Sequence, residues 1–90
     1  MRLSKETYDS RILQIIGAYL RMTTRRGVNP DDVAVKVLVK QYGFTHNFSK
    51  TAELTVALKA MYNWVIQYRF TNNGNSPDPQ AMLNFVKSRI

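Results

Sequence analysis

The sequence predicts an all-α fold, a compact bundle of four helices at about residues 5–25, 30–42, 50–69 and 79–89, within a single helical domain spanning 1–90. Three observations carry this. Apolar residues recur at three- and four-residue steps through most of the chain. All the acidic residues fall near the starts of those periodic segments, where a carboxylate meets the partly positive end of the helix dipole. Glycine, proline and asparagine separate the segments, at 27–30, at Gly43 and at 71–79.

Ser4 is a good cap for the first helix, and Glu6 and Asp9 suit its first turns. Tyr8, Ile12, Ile15, Ile16, Tyr19 and Met22 make one face, widened by Leu13 and Leu20. Gly27, after Arg25-Arg26, is the expected stop. The second helix has the strongest start signal, with Asn29 capping, Pro30 at the first position and Asp31-Asp32 behind it. Gly43 ends it. Val33, Val35, Val37 and Val39 alternate as a strand would. The cap chemistry and the lack of a partner strand favour a helix burying Ala34, Val35, Leu38, Val39 and Tyr42.

Phe44 and Phe48 in the next connector are expected plugs into the core. The third helix begins near Ser49 or Thr51, and Leu54, Ala57, Leu58, Met61, Trp64, Val65 and Tyr68 keep helical step along it. Val56, Ala60 and Ile66 add apolar surface off that face, leaving a narrow polar strip of Thr55, Lys59, Asn63 and Gln67. A helix apolar on most sides is central to its bundle or faces a second subunit, so a homodimer is one expectation. The last helix starts at Ser76-Pro77 or Asp78-Pro79 and buries Met82, Phe85, Val86 and Ile90.

Several function classes find no support. The chain has no cysteine, hence no disulfide framework, thiolate nucleophile or Cys-ligated metal. It has one histidine, His46, in a connector, and no second ligand at metal spacing. The paired carboxylates Glu6/Asp9 and Asp31/Asp32 sit where helix starts already account for them. The glycines are scattered, so no phosphate-cradling loop forms. A non-enzyme with no cofactor and no metal is expected. The first residues lack a secretory pattern and no run approaches the ~20 apolar residues of a membrane span, so the expected setting is cytoplasmic, with no membrane partner.

The formal charge of +7 is the broadest clue to activity. Arg21, Arg25 and Arg26 close the first helix, Lys36 and Lys40 lie one turn apart on the second, and Lys50 precedes the third. Cations at helix ends complement the dipole, yet a patch of them also neutralises phosphates. The leading expectation is a small basic protein binding nucleic acid through phosphate contacts at these six residues. The alternative is a helical adaptor or inhibitor docking on another protein, within a nucleoprotein complex or against an acidic protein surface. It would use the basic face or the spare apolar surface of the third helix. A helix-turn-helix has the right order around Gly43, but the connector is longer than the usual 3–4 residues. Tyr62, Trp64, Tyr68 and Phe70 beside Arg69 have the composition of a base-stacking platform, although aromatic residues at helical spacing are expected in the core.

Overall fold

The computed structural model describes residues 4–25, 28–44 and 49–90. Within these, α1 spans Lys5–Leu20, α2 Val35–Gln41, α3 Thr51–Thr71 and α4 Pro79–Lys87, with no strand. The all-α reading and the four helices are as the sequence predicts. No helix among the described residues is long and apolar enough to cross a membrane.

Each start has a local chemical cause. The Ser4 side chain accepts a hydrogen bond from the Thr7 amide, satisfying one of the unpaired N–H groups at the head of α1. Asp78 does the same for α4 through the Gln80 amide, with Pro79 at the first position. At its far end α1 widens into a π-helical turn over Arg21–Arg25. There the Thr23 and Thr24 hydroxyls donate back to the Tyr19 and Leu20 carbonyls, at 2.9 and 2.6 Å. Such back-bonding competes with the regular backbone ladder.

The start of α2 corrects the sequence reading. Asn29 caps as expected, accepting from the Asp31 amide, but Pro30–Asp32 make only a single 3-10 turn. Val33 then turns extended, at ψ 125°, and α2 begins at Val35. The cap signal is therefore real but local. A β-branched residue directly after the turn, with alternating valines behind it, weakens helix propagation. Val33 is buried by that extended step, and exposed Ala34 is not the core residue expected of it.

Both α1 and α3 touch the other three helices, and α2 and α4 flank them. The core lies along the α1–α3 seam. It joins Ile12, Ile15, Ile16 and Tyr19 to Leu54, Leu58, Met61 and Val65, closed by Val35, Leu38 and Val39 on one flank and Leu83 and Val86 on the other. Phe44 is buried as expected; Phe48 lies outside the described residues. Trp64 differs from expectation. It is half-buried, with its ring stacked on Phe85 at 4.8 Å and edge-on to Tyr68. Leu83, absent from the expected face of the last helix, is fully buried.

Two ion pairs tie elements together, Asp9 with Lys87 at 2.8 Å across α1 and α4, and Asp31 with Lys59 between the 3-10 turn and α3. A third tie uses Arg11, whose guanidinium donates to the Gly43 carbonyl at 2.6 Å and lies 5.9 Å from the Phe44 ring centre. Gly43 closes α2 in a Schellman turn at φ 94°, with its own amide on the Lys40 carbonyl and the Phe44 amide on the Val39 carbonyl. A Cβ on Gly43 would stand 2.9 Å from the Arg11 guanidinium carbon, whereas one on Gly74, at φ 84°, meets nothing. Both Gly→Ala variants are expected to lose about 1–2 kcal/mol from the left-handed backbone. Gly43→Ala should lose more, because Arg11 must also give way. Equal losses in paired thermal melts would refute the Arg11 tie.

Tyr19 adds a pH signature. Its phenol is buried and donates to the Pro30 carbonyl at 3.4 Å. Burial, then the nearby Asp31 carboxylate and Tyr62, push its pKa up to about 12. The unfolded phenol titrates near 10. Below pH 10 both states are neutral and the stability is fully present. Between 10 and 12 only the unfolded state loses its proton, so stability falls as pH rises, by an amount on the order of 2 kcal/mol. Tyr19→Phe should remove this step from stability measured against pH; an unchanged step would assign it to another group.

Candidate nucleic-acid interface

Of the six residues expected to carry phosphate contacts, four have described side chains. Arg26 and the side chain of Arg25 lie outside the described residues, as do His46 and the expected stop at Gly27. Arg21, Lys36, Lys40 and Lys50 are all exposed. None has a carboxylate partner among the described residues, where the two ion pairs use Lys59 and Lys87 instead.

Lys36 and Lys40 stand one turn apart on the exposed side of α2, because Val35, Leu38 and Val39 fix the opposite side in the core. Side chains at that spacing are about 5–6 Å apart at their Cβ atoms. The Arg11–Gly43 bond sets the height of α2 against α1. The helices run antiparallel, so at about 1.5 Å per residue Lys36 falls about one turn along the bundle from Arg21. Arg21 itself sits on the side of α1 turned away from Ile12, Ile16 and Tyr19, its guanidinium over Gly17. The lysines thus share one face, whereas Arg21, on a different helix, stands about one turn along the bundle from Lys36 and about two from Lys40.

Lys50 stands apart. It immediately precedes α3, and its carbonyl accepts the Leu54 amide at 2.9 Å. A cation there opposes the helix dipole. The dipole accounts for Lys40 and Arg69, both in last turns, but it gives no reason for Lys50.

Besides Lys59, held by Asp31, three cations invisible as structural in the sequence are engaged. Arg11 holds Gly43, Lys87 holds Asp9, and Arg89 lies 3.7 Å over the Phe85 ring. Long-range packing alone assigns Arg11 and Lys87, so no local signal marks those two, whereas Arg89 meets a ring only four residues away. The stacking platform is not assembled as such, since Trp64 sets its ring on Phe85 and Tyr68 lies edge-on to Trp64. Phe70 alone of that set is open, at 89% exposure. The helix-turn-helix spacing is not met either, because residues 42–50 separate α2 from α3. No group of three His, Asp or Glu among the described residues is placed to hold a metal ion. No protein-family model, curated protein or solved structure matches the chain.

Proposed function

We propose that this protein binds nucleic acid without catalysis, through phosphate contacts centred on Lys36 and Lys40, with Arg21, Arg25, Arg26 and Lys50 contributing. The observation that carries the reading is the set of exposed cations with no carboxylate partner among the described residues, in a chain of net charge +7. A duplex presents about one negative charge per 1.7 Å of axis, so a modest cation patch displaces several condensed counterions on contact.

The contact is to backbone rather than base edges. The outward face of α3, the longest helix, carries Val56, Ile66 and Phe70 and offers little to the polar floor of a groove. Phosphate contacts position a protein on nucleic acid but carry no sequence information. Binding at low salt to two unrelated duplexes and to a single strand tests this; no retention on any of them removes the proposal.

One observation favours a second reading, a protein adaptor. The same exposed apolar residues lie along one face of α3, with Lys59 and Asn63 between them, and exposed apolar surface is of the kind that marks protein contacts. That surface is separate from the α2 lysines.

A further inference from the structure

The exposed side of α3 has a heptad order that its core side does not use. Ala52, Val56, Lys59, Asn63, Ile66 and Phe70 succeed one another at alternating four- and three-residue steps, and all are exposed. Val56 is 67% exposed, Ile66 40% and Phe70 89%. These are the a and d positions of a coiled-coil seam, with Val56, Asn63 and Phe70 at a, and Ala52, Lys59 and Ile66 at d. Leu54, Leu58, Met61 and Val65 meanwhile face the core. The helix therefore carries two seams, of which the bundle buries one.

The two ends of the open seam differ in shape. At the C-terminal end Phe70 projects as a knob. At the N-terminal end Ala52, Glu53, Val56 and Arg89 line an open depression of about 280 Å³. Roughly 150 Å³ suffices to hold a benzene ring. We infer that α3 pairs antiparallel with α3 of a second copy of this chain, about a two-fold axis at the level of Met61, so that Phe70 of each copy enters the depression of the other.

The residues themselves set the register. Antiparallel packing sets each a position opposite a d position of the partner helix. About Met61, Val56 meets Ile66, Asn63 meets Lys59, and Phe70 meets Ala52. Apolar meets apolar, polar meets polar, and the largest side chain meets the smallest. A central polar pair is the device that fixes coiled-coil register at some cost in stability. A parallel pairing fails on the same residues, because it sets Lys59 against its own copy and leaves the depression empty. The two-fold arrangement is also isologous, so it closes at the dimer.

The contact is small. A helix of 21 residues is about 31 Å long and 10–12 Å wide, so each copy covers roughly 350 Å². The total is below the ~1,200 Å² of stable interfaces, so the dimer is weak and concentration-dependent, in the micromolar range or above.

Sedimentation of the full chain from low to high micromolar concentration should show reversible passage from monomer to dimer; monomer throughout overturns the proposal. Val56→Lys and Phe70→Ala change exposed residues and should leave the melting curve in place. Each should raise the dimer dissociation constant about tenfold per copy, hence about a hundredfold for the symmetric pair. Unchanged dimerisation in either variant overturns the proposal. Register is read with a short bismaleimide on single-cysteine variants, since the chain has no native cysteine. Ala60→Cys lies near the axis and should link to its copy. Ala52→Cys stands about 27 Å along the axis from its copy and should not. Linkage of Ala52→Cys to its copy would mean a parallel pair, in which every residue is level with its own copy, and would refute the inference.

Discussion

Leu58→Ala is expected to cost about 2–5 kcal/mol of folding stability, seen as a shift in denaturant midpoint with little change of slope. Leu58 is fully buried on α3, in the core shared with Ile12, Ile15, Ile16 and Tyr19 of α1. The seam between these two helices is the centre of the bundle, where neighbouring side chains are held from several directions and collapse poorly into a void. A domain of this size has a total stability of about 5–15 kcal/mol, so the variant sits near the edge of folding at 37 °C. Trp64→Ala should cost less, about 1.5–3 kcal/mol, although it removes more atoms. Its ring is half-buried and rests on Phe85 and Tyr68 rather than within the seam. A loss for Trp64→Ala as large as that for Leu58→Ala would contradict this ranking.

That ranking shows where sequence periodicity stops being informative. Leu58 and Trp64 keep the same step along α3, and periodicity places both toward the bundle. It does not say how far each neighbour reaches. The fourth helix, α4, is only nine residues long and supplies one aromatic, Phe85, which covers one part of Trp64 and leaves the rest open. Leu83 escaped for a related reason. In so short a helix three or four apolar residues define the face, and either neighbouring direction fits them until α1 and α3 are in place.

The caps were legible, because capping is a contact between residues two or three apart. Ser4, Asn29 and Asp78 each accept the expected amide, and Gly43 adopts the positive φ its position demands. The backbone just past a cap was less legible. Asn29-Pro30-Asp31-Asp32 starts a turn, but whether the turn propagates depends on Val33 and Ala34, and there burial of Val33 wins over helix continuity. The cations divide in the same way. Charge and exposure of Lys36 and Lys40 could be read from their spacing against Val35, Leu38 and Val39. The engagement of Arg11 with Gly43, thirty-two positions away, could not, since only the return of α2 along α1 brings them together.

Nucleic-acid affinity is expected to fall steeply with salt. On duplex DNA each neutralised phosphate contributes about 0.9 to the slope of log affinity against log salt. If Arg21, Arg25, Arg26, Lys36 and Lys40 each take one phosphate, the slope is roughly −4 to −5, and a sixth contact from Lys50 would steepen it by about 0.9. Replacing Lys36 and Lys40 together with alanine should flatten it by about two. It should also weaken binding equally on unrelated sequences, because the contacts read no bases. The fold should persist, since both side chains are exposed and alanine favours helix at least as well as lysine. Lys87→Ala is the matched control. It removes the same kind of charge from the chain, but from a lysine already held 2.8 Å from Asp9, so it should leave the slope nearly unchanged. If the Lys87 variant flattens the slope as much per charge as the α2 pair does, binding responds to net charge alone and the α2 face has no special part in it. If the α2 variant alone flattens it, exposed unpaired lysines make the contacts and paired ones do not.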